Sequence, residues 1–196
     1  MKKRTATVLR KTKETDITVE LCIDGSGKGT IDTELPFLDH MLDAMTRHAL
    51  FDLKLKARGD LEVDFHHTVE DIGLVLGEAL DKALGDRKGI TRYGSALLPM
   101  DDSLSAVAVD LGGRPYLVYK IANRKRRTGQ FDLSLLEEFF RAFVVQARMN
   151  LHIDHRYGTE PHHAYESVFK GFARALRQAC SMDPRETGLP SSKGAI

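Results

Sequence analysis

The chain has 196 residues, 42% hydrophobic and 29% charged, with a net charge of +1. That is enough apolar material for one packed core and too little net charge to expect nucleic acid or an anionic membrane as a partner. Cys22 and Cys180 match no metal or redox spacing, and no apolar run of about 18 residues follows the Met1-Lys2-Lys3-Arg4 start or occurs elsewhere, so a reduced cytoplasmic protein is expected.

In chain order, Ile17 to Ile23 reads as strand. Phe37, Leu38, Met41, Leu42 and Met45 recur at helical spacing and form a core-facing stripe. Leu53-Lys54-Leu55 alternates like a half-exposed strand, and Ile72, Leu76, Ala79, Leu80 and Ala83 form a second stripe. The plan then repeats. Ser105 to Leu111 and Tyr116 to Ile121 read as strands, while Leu135, Leu136, Phe139, Phe140 and Phe143 reproduce the first stripe at an offset of 98. Leu151-His152-Ile153 keeps that offset, and Val168, Phe172, Ala175, Leu176 and Ala179 follow the second stripe at 96. The difference of two residues falls in the intervening loop, where length changes cost little. The basic run Asn123-Arg124-Lys125-Arg126-Arg127 lacks interleaved aromatics and leads to a turn at Gly129, as a solvated loop does. The expected fold is α+β: one domain over 1–196, made of duplicated half-domains at about 1–95 and 96–196, each a β-sheet packed against two helices.

The repeat carries a chemical word. His66-His67-Thr68-Val69-Glu70 and His162-His163-Ala164-Tyr165-Glu166 are two copies of HHxxE, 96 positions apart, and hold half of the eight histidines. On a helix, residues four apart share a face, and the adjacent residue points roughly 100° away. So His66 and Glu70 can hold one cation while His67 reaches for another, and the second copy behaves alike. If an internal two-fold relates the copies, the simplest closed arrangement is a swap: His67 with His162 and Glu166, and His163 with His66 and Glu70. Histidine plus carboxylate without cysteine suits Mn, Zn or Fe(II). The offset of 98 sets His40 opposite Glu138, and each can supply a fourth ligand.

Phe37-Leu38-Asp39-His40-Met41-Leu42-Asp43, the two HHxxE copies, Pro99-Met100-Asp101, Gly113-Arg114-Pro115-Tyr116, Leu151-His152-Ile153 and Leu189-Pro190-Ser191-Ser192-Lys193-Gly194 together resemble the imidazoleglycerol-phosphate dehydratase family, from Glu14 to Lys193. The resemblance implies a lyase of histidine biosynthesis that converts D-erythro-imidazole-glycerol phosphate to imidazole-acetol phosphate. It implies two Mn2+ per active site, the substrate ring held as an imidazolate, and a homo-oligomer of 24 subunits with sites between them. Carried over residue by residue, one ion takes His40, His67, His162 and Glu166, and the other His66, Glu70, Glu138 and His163. Position 138 is histidine in some members and Glu138 here, and Ala44 stands where members commonly have glutamine. His155 and the Gly158-Thr159-Glu160-Pro161 run also depart from the family pattern, with local effects expected.

Glu14 is then the first candidate for general acid or base, with Glu70 and Glu166 as the carboxylates among the ligands. Glu14, His40, His66, Glu70 and His162 are implied to touch substrate. Arg92, Arg114, Lys170, Ser192 and Lys193 are implied to hold its phosphate, combining guanidinium forks with point charges. A non-catalytic metal store accounts for the HHxxE copies but not for this cationic group, and a metallo-hydrolase is the third reading.

Overall fold

The protein is described by a computed structural model over residues 3–121 and 125–196, so Asn123 and Arg124 of the basic run lie outside the described residues. Its first half runs β1 (Thr5–Lys11), β2 (Thr15–Cys22), β3 (Gly29–Asp32), α1 (Pro36–Ala49), β4 (Asp52–Gly59) and α2 (His66–Leu84). The second runs β5 (Tyr93–Met100), β6 (Ser103–Asp110), β7 (Tyr116–Ile121), a small hairpin β8 (Arg127–Thr128) and β9 (Phe131–Asp132), α3 (Leu135–Ala147), β10 (Asn150–Tyr157) and α4 (Pro161–Cys180).

The duplication is complete in topology. The sheets are ordered β1-β2-β4-β3 and β5-β6-β10-β7, each with antiparallel pairs except for the last, parallel pair, β3 with β4 and β7 with β10. Alternation decides the faces: Ile17, Val19, Leu21, Leu53, Leu55 and Ala57 are buried, as are Val107, Val109, Leu151 and Ile153, while the residues between them face outward. Strand β5, which starts at Tyr93, is the edge strand at which the second sheet begins. Its apolar residues Tyr93 and Leu97 face out, so alternation does not mark it as core.

The helices pair across the halves, α1 with α4 and α2 with α3, while α2 lies on β1 and β2 and α4 on β5 and β6. A single continuous core results. The close approach of α2 to α3 requires the glycines on α2: a methyl group at Gly73 or Gly77 would collide with the carbonyl oxygens of Phe139 and Phe143. Both α1 and α3 end in a left-handed, non-glycine residue, Leu50 (φ 57°) and Arg148 (φ 48°), again 98 apart. Non-glycine residues rarely adopt this conformation, so its repetition marks a turn that the fold imposes on both halves. Among the described residues no helix is long and apolar enough to cross a membrane.

Candidate metal centre and anion cleft

Both HHxxE copies open a helix. The carboxylates of Asp64 and Glu160 accept the backbone N–H groups of His66 (2.7 Å) and His162 (3.3 Å). Within each pair the second ring faces acidic side chains, so hydrogen bonding to Asp60 raises the His67 pKa and hydrogen bonding to Asp102 raises that of His163. Adjacent rings diverge as helical geometry requires: His66 and His67 are at 85° to one another, and His162 and His163 at 88°.

Because α1 packs on α4, His40 reaches the second copy. The Nε2 atoms of His40 and His162 lie 3.6 and 3.1 Å from Glu166 Oε2, and the ligand atoms of the three residues fall within 4.8 Å of one another. The edge of the Phe37 ring packs against His162 at 5.9 Å between centroids, fixing one wall of the cluster. Burial pushes the Glu166 carboxyl up, but Lys170, His40 and His162 outweigh it, so its pKa lies below the ordinary carboxylate value. A mostly buried carboxylate facing two imidazoles suits Mn(II) or another borderline divalent ion. Among the described residues this is the one such group of three or more.

Among the described residues the other expected ligands are not joined into a second such cluster. His66 Nε2 is 3.7 Å from Glu70 Oε2, the equivalent of the His162–Glu166 pair. Glu138 on α3 instead faces Arg141 at 3.5 Å. His67 Nδ1 is 3.0 Å from Asp60, and His163 Nδ1 is 3.0 Å from Asp102. Glu14, in the turn between β1 and β2, has its carboxylate 4.0 Å from His67 Nδ1.

At the other end of the second sheet, Arg92, Arg114, Ser192 and Lys193 line a cleft of about 310 Å³ together with Gly112 and Gly113. Arg92 is already engaged: Nε and Nη2 donate to Asp110 at 2.7 and 3.1 Å, and Nη1 donates to the Pro190 carbonyl at 2.7 Å. Its role in this conformation is to hold the C-terminal segment, which leaves Arg114 and Lys193 as the exposed cations of the cleft. Lys170 is not a wall of the cleft; its ammonium donates to Glu166 at 2.6 Å.

Sequence reasoning missed Asp60 and Asp102. Asp60 precedes His67 by seven residues, and Asp102 lies 61 residues before His163, so no spacing announces either.

The fold and site define a duplicated α+β enzyme class in which each half presents an HHxxE helix start. The family model for imidazoleglycerol-phosphate dehydratase matches residues 33–176. A protein of that name from Geobacter metallireducens is 55% identical over 98% of this chain and 99% of its own, and one from Methylorubrum populi is 53% identical over 98% and 100%. The crystal structure of the Staphylococcus aureus enzyme superposes with a TM-score of 0.83 at 38% identity, covering 91% of this chain and 99% of that one. The Pyrococcus furiosus enzyme in complex with (S)-C348 gives 0.81 at 39%, covering 96% and 100%. The chain belongs to the imidazoleglycerol-phosphate dehydratase family, and with it to the lyases of histidine biosynthesis.

Proposed function

We propose that the chain removes water from D-erythro-imidazole-glycerol phosphate to give imidazole-acetol phosphate, using two Mn2+ per active site. The observation that carries the metal reading is the convergence of His40, His162 and Glu166, drawn from opposite halves of the chain. One ion would be held by these three and His67, the other by His66, Glu70, Glu138 and His163. Bound there, the ions would supply Lewis-acid stabilisation of negative charge on the substrate's imidazole.

The side chains do the rest. Glu14 lies beside His67 on an exposed turn, close enough to the proposed site to move a proton at the substrate carbon. Arg114, Ser192 and Lys193 would take the phosphate, with Arg92 anchoring the segment that carries the last two. Lys170 would compensate Glu166 and extend toward phosphate when a metal replaces it as the counter-charge.

Three donors from one chain leave a divalent ion short of ligands, while His67 and Glu14 present a complementary set elsewhere on the surface. Exchange of these sets between copies supports sites between subunits in a homo-oligomer, for which we propose 24 chains. The exposed Tyr93, Leu97 and Tyr116 on the outer face of the second sheet fit a subunit contact. Two free thiols, Cys22 and Cys180, suit the cytoplasm.

Manganese-loaded protein incubated with imidazole-glycerol phosphate should give a ketone. Released phosphate would indicate a hydrolase, and neither product a metal store. His67→Ala and His162→Ala should each lose the same ion, so the double variant should lose no more manganese than either single one. Glu138→Gln should weaken the other ion alone, whereas Glu138→His should retain both. Two unperturbed sites in Glu138→Gln would remove Glu138 from the ligands.

A further inference from the structure

The two histidines that stand second in HHxxE share an arrangement that the repeat itself does not encode. Each presents Nδ1 to an aspartate on a neighbouring turn, His67 to Asp60 Oδ2 and His163 to Asp102 Oδ1, both at 3.0 Å. Asp60 follows β4 within its own half, whereas Asp102 sits in the β5–β6 turn. An ionised carboxylate only accepts, so each ring carries a proton on Nδ1, and the neutral ring then leaves Nε2 open.

We propose that Asp60 and Asp102 are a matched pair of positioning residues, which hold His67 and His163 in the orientation and tautomer that aim Nε2 at a divalent cation. This rests on the metal reading given above.

Their surroundings differ in a way that makes the proposal testable. Asp102 Oδ2 is fully committed: it accepts the backbone N–H groups of Thr159 (2.7 Å) and Glu160 (3.1 Å) and the Thr159 hydroxyl (3.1 Å). These donors and the His163 ring hold its pKa well below the ordinary carboxylate range. Only Oδ1 faces His163. In Asp102→Asn, the amide oxygen must stay with the three donors, because an NH2 there would confront N–H and O–H groups. The NH2 is therefore turned toward His163 Nδ1 and demands a lone pair from it. The ring must switch its proton to Nε2, closing the nitrogen meant for the cation. The bonds from Thr159 and Glu160 are kept and only the long Ser103 hydroxyl bond to Oδ1 (3.3 Å) is given up, so a purely structural role for Asp102 would be largely preserved.

Asp60 has no such commitment, since its Oδ1 is buried without a hydrogen-bond partner. In Asp60→Asn the amide can orient its oxygen toward His67 Nδ1 and keep the tautomer. Asp101 Oδ2 lies 3.4 Å from His163 Nε2, so its negative charge favours a cation at that nitrogen, a proton at lower pH or a metal ion when one is bound.

The experiment is imidazole ¹⁵N magic-angle-spinning NMR on the metal-free, histidine-labelled protein at alkaline pH, paired with manganese titration followed by the electron paramagnetic resonance of free Mn(II). His163→Gln and His67→Gln assign the signals. The parent should show Nδ1–H on both rings. Asp102→Asn should invert His163 and lose about 10- to 100-fold in affinity at one manganese site, with an unchanged far-UV spectrum. Asp60→Asn should keep the His67 tautomer and stay within a few-fold of the parent. An unchanged His163 tautomer in Asp102→Asn, or equal losses in the two Asn variants, would overturn the proposal. Failure of the parent to bind manganese would instead sink the metal reading, and the tautomer measurement distinguishes the two because it uses no metal.

Discussion

Arg87 joins the halves of the molecule, and its removal should be among the costliest single changes outside the site. The residue sits in the α2–β5 connection with φ 59° and is 1% exposed. Its Nη1 donates to the carbonyls of Leu111 (2.8 Å) and Arg148 (3.0 Å), and its Nη2 to Ala147 (2.7 Å) and to Asp81. Ala147 and Arg148 end α3, so the guanidinium caps a second-half helix from a first-half connection, where the helix dipole favours a cation. The three bonds to carbonyls, at about 1.5–3 kcal/mol each, would total roughly 4.5–9 kcal/mol if they were independent. They are not, because one guanidinium makes them all, water can enter the space, and Asp81 keeps Arg148 at 3.0 Å. Arg87→Ala should therefore cost about 3–5 kcal/mol, the range for breaking a buried pair, and Arg87→Lys about half of that because an ammonium cannot span all the acceptors. The assay is urea unfolding by far-UV circular dichroism at fixed protein and metal concentration, since the chain has no tryptophan. A cost below about 1 kcal/mol for Arg87→Ala would refute the reasoning, since it would mean that the buried carbonyls find equivalent partners unaided.

Gly73→Ala or Gly77→Ala should lower the melting temperature, because steric separation of α2 from α3 costs about 1–3 kcal/mol and exceeds the helix-propensity gain of roughly 1 kcal/mol; a rise in melting temperature would show that the helices can part freely. Cys180 is buried, with its thiol pushed up to about 12, so only the half-buried Cys22 should react with an aromatic disulfide reagent until denaturant is added. His155 is 2% exposed, and burial pushes its pKa below the ordinary imidazole value despite the opposing charges of Asp102 and Asp154 and the Tyr157 backbone. Its folded pKa is depressed, so the stability it contributes is present above the unfolded value and is lost as pH falls toward the folded one. His155→Leu should flatten the decline in melting temperature between about pH 7 and pH 5, and an unchanged slope would contradict that account.

The duplication was legible in the chain because core-facing positions must repeat with the period of their element. The stripes around Met41 and Phe139, and around Leu76 and Phe172, announced four helices without any coordinates. The HHxxE copies were equally plain, since i,i+4 geometry is local. Several strands were not. In β1 only Val8 is buried, and β5 faces Tyr93 and Leu97 outward and only half-buries Leu98 and Met100, so a sheet edge leaves a faint hydrophobic pattern. Glu14 drew attention through family resemblance alone; its place beside His67 follows from the β1–β2 turn.

What the sequence by itself determined was periodic or adjacent: the α+β repeat, its helices, and the pairing of His66 with Glu70 and of His162 with Glu166. What only the tertiary structure decided was long-range. It brought His40 to Glu166 through α1–α4 packing and set Asp60 and Asp102 behind their histidines. The physical reason is that backbone geometry fixes neighbours within about one helical turn or two strand positions, whereas contacts across 61 or 126 residues depend on how whole elements pack around a shared core.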